Sequence, residues 1–75
     1  MPSLSQIKSK ELRKYLIDRG FKEVSQKGSH RKFLKGSKTT TIPMHNKPLG
    51  VGLTISIINQ AGLSVEDFLK WKNKK

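Results

Sequence analysis

Two histidines, His30 and His45, are the side chains of this 75-residue sequence suited to moving a proton near neutral pH. His30 stands in KGSHRKF, residues 27 to 33, directly after a Gly-Ser pair and among cations. His45 closes TIPMH, residues 41 to 45. Cysteine is absent, so there is no thiolate nucleophile, disulfide or thiolate metal site. Two histidines and five dispersed acids offer no ligand spacing of a known metal site. Neither a metal nor another cofactor is expected.

RNA cleavage is chemistry this set can perform. It needs no metal when the 2′-hydroxyl attacks the neighbouring phosphorus. It then needs a group that titrates near neutrality to move a proton, which suits His30. It also needs cations to stabilise the charged phosphorane, and Lys27, Arg31 and Lys32 are candidates for that and for binding RNA. The competing reading is an exposed strand histidine with no task, the commoner fate of a lone histidine in a short basic loop. Ser29 adjoins His30, but neighbours on an extended strand point to opposite faces. The work expected of Ser29 and Gly28 is therefore the turn. For His45 three roles stay open: bonding the turn, binding a phosphate, or acting as a second proton-transfer group.

The charge distribution indicates the partner. The formal net charge is +11, and residues 1 to 38 carry eleven cations against three acids. Residues 39 to 69 carry Lys47 against Glu66 and Asp67, and the tail KWKNKK adds four cations. A basic half joined to a nearly uncharged half points to a polyanion, and nucleic acid leads. Seventy-five residues make one domain, 1 to 75, with a thin core and a basic tail from about residue 70. The opening MPSLSQIKSK lacks the apolar stretch of a signal peptide, and no apolar run is long enough to cross a bilayer. A cytoplasmic protein is expected.

Helices and strands must position these groups. Ser9 is the expected N-cap of KELRKYLIDR, with Glu11 in the first turn, Leu12, Tyr15 and Leu16 on one face, and Gly20 as the stop. Three strands are expected next: residues 21 to 26, 30 to 35 and 39 to 44, with turns at Gly28-Ser29 and Gly36-Ser37. Alternation in HRKFLK sets His30, Lys32 and Leu34 on one face, with Arg31, Phe33 and Lys35 on the other. Phe33 is expected to point to the core, which turns His30 outward. GVGLTISIINQAG reads both ways. Val51, Leu53, Ile55 and Ile57 alternate as in a strand, whereas Leu53, Ile57 and Ala61 fit a helix face that Gly62 ends. Ser64 and Asp67 then open a short helix through Phe68, Leu69 and Trp71. Tyr15 and Trp71 are able to stack bases, but their helical spacing among apolar neighbours favours the core.

Taken in order, KELRKYLIDRGF, KGSHRKF, TIPMH and INQAGLSVEDFL resemble the HicA family of bacterial toxins, over roughly residues 9 to 69. The resemblance implies an α+β fold of α-β-β-β-α order, similar to the double-stranded-RNA-binding fold, with a short added helix. Its three-stranded antiparallel sheet carries helices on one face, and residues 51 to 61 become helical. The resemblance also implies a ribonuclease that cleaves mRNA and arrests growth, the toxin of a type II toxin–antitoxin pair, silenced by a HicB-type antitoxin. The family's functional histidine falls at His30. A non-catalytic RNA-binding module of the same fold is the alternative. Family members often carry a basic residue where this chain has LTISII, yet residues 49 to 61 hold no charge. Wound as a helix, Val51 and Ile55 lie beside Ile58 and widen the apolar arc. That edge is a candidate antitoxin anchor unless Phe68 or Trp71 covers it.

Overall fold

Leu12, Tyr15 and Leu16 form the buried stripe of α1 (Ser9–Asp18), and the sheet and the other helices close over it. A computed structural model of the chain describes residues 4, 6–44 and 47–73. After α1 come β1 (Lys22–Lys27), β2 (His30–Lys35), β3 (Lys38–Pro43), α2 (Val51–Gln60) and α3 (Val65–Asn73). The strands form one antiparallel sheet in the order β1-β2-β3, with the helices packed on it, the arrangement the sequence implies.

The entry to α1 differs from expectation. Lys8, not Ser9, is the N-cap residue, and the Ser9 hydroxyl donates to the Pro43 carbonyl at 2.6 Å. A side chain assigned to local capping instead fastens the helix to the end of β3. Ile7 and Leu12, both fully buried, occupy the positions of a hydrophobic staple across the helix start. At the other end the Gly20 N–H donates to the Ile17 carbonyl and the Phe21 N–H to that of Leu16, so Gly20 is the stop as expected. Those bonds claim Phe21 for the helix end, and β1 begins one residue later than expected.

Both hairpin turns repeat the tripeptide Lys-Gly-Ser, at residues 27 to 29 and 35 to 37. Lys27 pairs directly with His30 and Lys35 with Lys38, leaving two-residue loops. Gly28 holds φ at +61°, a value that suits the right-handed twist of the strands and that Cβ-bearing residues disfavour. Because Lys38 pairs at once, β3 runs over Lys38–Pro43, one residue earlier than the sequence indicates. Pro43 ends an edge strand, where its missing N–H is tolerated.

The ambiguous segment is a helix. Thr54, Ile57, Ile58 and Ala61 are its buried set, spaced for one helical stripe. Leu53 is not on the core face as expected: it is 41% exposed. At 100° per residue a stripe centred between Ile57 and Ile58 leaves Leu53 about a quarter-turn away. The Thr54 hydroxyl takes the inner place by donating to the Gly50 carbonyl at 2.7 Å. On the sheet side, the Thr40 hydroxyl donates to the Ile57 carbonyl at 3.2 Å and binds β3 to α2. Gly62 ends α2 with the same pair of backbone bonds that ends α1.

α3 docks on α1. The Ser64 hydroxyl accepts the Asp67 N–H at 3.0 Å, as a cap should. Tyr15, Phe68 and Trp71 pack their rings at centroid distances of 4.9 to 6.0 Å, so both Tyr15 and Trp71 belong to the core. The Trp71 indole N–H donates to the Asp18 carboxylate at 2.7 Å. The Asp67 carboxylate accepts from Tyr15 and from Arg19 Nε, the latter at 2.8 Å.

This last group gives the domain an acid-sensitive joint. The Arg19 hydrogen bond, then that of Tyr15, holds the Asp67 carboxyl below the usual carboxylate range. A depressed carboxylate contributes stability above its unfolded pKa and loses it as pH falls through the folded value. Stability should therefore hold level through neutrality and decline below about pH 4. Asp67 is 40% exposed, so solvent screening limits its share to at most about 1 kcal/mol. Urea unfolding of Asp67→Asn should show a shallower acid decline than the native chain. An identical decline would place the acid sensitivity elsewhere. Burial, then the Asp67 contact, raises the Tyr15 pKa, so the hydroxyl stays a donor throughout this range.

Candidate nucleic-acid interface

The pairing register determines what His30 faces. Residues paired across an antiparallel sheet share a face, so Lys27, His30 and Pro43 form one row. Ser25, Lys32 and Thr41 form the next, and Lys22, Leu34 and Thr39 the third. Phe33, Thr40 and Ile42 are buried on the opposite side, under the helices. His30 and Lys32 thus stand on the bare side, both exposed, as the alternation of HRKFLK indicates. Lys27 is the direct cross-strand neighbour of His30, and Lys32 lies two residues along the same strand.

β1 carries a bulge between Glu23 and Ser25. Without it, strict alternation would put Glu23 and Lys27 on the same side. The extra residue lets Glu23 and Gln26 face the helices while Ser25 and Lys27 face out. Glu23 is the one acid in the three strands, and the bulge removes it from the His30 face. The bare side of the sheet therefore presents Lys22, Lys27 and Lys32 with no carboxylate from any strand.

Arg31 stands apart from the other candidates. It lies on the helix side, where Nη1 pairs with Glu23 Oε2 at 2.7 Å and Nε donates to Gln26 Oε1 at 3.1 Å. The Gln26 amide in turn donates to the Gly28 carbonyl at 3.1 Å, so Arg31 braces the turn before His30. The other oxygen of Glu23 meets Arg13 Nε of α1 at 3.1 Å. Ser29 contributes its carbonyl, which accepts the Met44 N–H, and a Cβ placed on Gly28 would touch nothing. Those two residues shape the turn. His45 lies outside the described residues.

Sequence reasoning missed Glu23 and Gln26. Glu23 had a signal, as the sole acid between residues 19 and 65, whereas Gln26 had none. Among the described residues no group of three or more His, Asp or Glu comes together to hold a metal. No helix among them is long and apolar enough to cross a membrane.

A three-stranded sheet covered by helices on one side, with a histidine and lysines on its bare side, defines a small basic α+β domain with one open face. A family model described as the HicA toxin of bacterial toxin–antitoxin systems matches residues 9–63, most of the chain, and the chain belongs to this toxin family. A comparison with curated proteins finds no match.

Proposed function

We propose that this toxin-family chain is a metal-independent endoribonuclease that cleaves mRNA with His30, and that a HicB-type antitoxin silences it. The observation that carries this reading is His30 on the bare sheet face, with Lys27 directly across and Lys32 on the same strand. His30 in its unprotonated form takes the proton of the 2′-hydroxyl as that oxygen bonds to phosphorus. The bond from phosphorus to the 5′ oxygen breaks, and that oxygen leaves with a proton returned by the imidazolium. The products are a 2′,3′-cyclic phosphate and a 5′-hydroxyl end. The Lys27 and Lys32 ammonium groups offset the negative charge that grows on the phosphorane oxygens. Arg31 supports the reaction through the turn and through RNA binding on its own side of the sheet. Cleavage of labelled RNA in EDTA, dependent on His30, tests this reading.

An antitoxin has to cover His30, and acidic groups set against Lys27 and Lys32 would speed its association. The apolar edge of α2 supports an anchor for it. Phe68 and Trp71 pack against Tyr15, and α3 leaves Val51 46% and Leu53 41% exposed, with Ile55 half-buried beside them. Val51→Lys should weaken the toxin–antitoxin complex at least tenfold while the free chain still cuts RNA. Antitoxin affinity equal to that of the native chain would remove α2 from the interface.

A further inference from the structure

An open cleft of about 650 Å³ lies between the flank of α1 and the His30 end of the sheet. Lys10, Arg13, Lys14 and Ile17 line it from α1, with Arg31 from β2 and Met44 just past β3. The cleft adjoins the candidate site through two links. Arg31 follows His30 in the chain, and the Met44 N–H binds the Ser29 carbonyl of the turn. Ser9, near the start of α1, is tied to Pro43, the cross-strand partner of His30.

Its chemistry is mixed in a particular way. Four cations converge there. Glu23 bridges Arg13 and Arg31, but among the described residues neither Lys10 nor Lys14 forms an ion pair. Asp18, the acid in the lining, is engaged by the Trp71 indole. Between the cations lie Ile17, 42% exposed, and the half-buried Met44. An exposed apolar floor ringed by lysines and guanidinium planes fits a planar, apolar-faced group that carries a negative charge. A nucleotide is such a group: its base packs on the floor and stacks on guanidinium, and its phosphate meets the lysines. The volume lies within the range of small-ligand sites.

We propose that this cleft holds a nucleotide of the RNA strand flanking the cleaved position, its base against Ile17 and Met44 and its phosphate on Lys10 and Lys14. The proposal rests on RNA being the substrate and places a second contact beyond the His30 face. The strand then passes from the bare side of the sheet, around the Gly28-Ser29 turn, to the α1 flank. This arrangement also gives Arg31 an RNA contact that its side of the sheet would otherwise deny it.

The test uses a trinucleotide with 2′-O-methyl groups, which binds without being cut, titrated into the full chain with methyl-labelled Ile and Met. The Ile17 and Met44 methyl resonances should shift from the ring current of the bound base. In the Lys10→Gln, Lys14→Gln double variant the affinity should fall about tenfold, and the log affinity against log salt slope should drop by about 1.4. Unmoved methyls with wild-type binding intact, or an unchanged slope, overturn the proposal. So does a cleft that responds to an Asp/Glu-rich peptide and not to the trinucleotide, which would assign it to a protein partner. Because the probe cannot be cut, this result is separate from catalysis. Natural RNA that is cleaved while the methyls stay still removes the cleft site alone. RNA that stays whole while they move removes the nuclease alone.

Discussion

His30→Ala should abolish RNA cleavage and growth arrest, with a rate loss of about 10²- to 10⁴-fold for removal of the proton-transfer group. The urea midpoint should stay within error of the native chain, because His30 is exposed on the bare sheet face and contributes little packing. RNA affinity should fall only modestly, since Lys and Arg contacts to phosphates carry most of it. Lys32→Ala gives the companion result: a smaller rate loss, with weaker binding that reflects one phosphate contact fewer. A folded His30→Ala chain that cuts RNA at the native rate would refute the assigned role.

The largest effect on stability is expected at Phe33, whose side chain points the opposite way from the same strand. It is fully buried and paired with Thr40 and Glu23 across the sheet. Phe33→Ala should lose about 3–5 kcal/mol, the transfer term plus the cavity left behind. A domain of this size has about 4–11 kcal/mol in total, so much of the chain would unfold at 37 °C. Phe33→Leu should recover a large part of the loss by refilling the volume. Denaturant midpoints for the pair check this, and an alanine variant as stable as the native chain would mean that the core does not depend on β2. Phe33 and His30 thus form a matched pair on one strand, with stability lost at one position and activity at the other.

The strand HRKFLK was legible because one large apolar residue among cations fixes the face of every neighbour. The stops at Gly20 and Gly62 were legible because glycine after an apolar helical stripe is a local signal. What escaped depends on distant partners. The Ser9 hydroxyl has a partner 34 residues away, and no local pattern predicts it. Leu53 is more apolar than Thr54, but the docking angle of α2 on β3, partly set by Thr40, turns the threonine inward. The bulge in β1 reorders the faces of Glu23 and Lys27, and KEVSQK contains no glycine to announce it. For the site, the pairing of His30 with Lys27 followed from the two-residue turn. The separation of Arg31 was implicit in the alternation, but its bracing by Glu23 and Gln26 needed the fold.

The most direct measurement compares two end-labelled oligonucleotides of one sequence, one RNA and one with every 2′-hydroxyl replaced by hydrogen, each incubated with the purified chain in EDTA. The account predicts that the RNA is cut to fragments ending in a 2′,3′-cyclic phosphate, while the deoxy strand is bound and stays whole. An RNA that is shifted but never cut would make the chain a binding module. Cleavage of the deoxy strand would contradict attack by the 2′-hydroxyl, and with it the work assigned to His30.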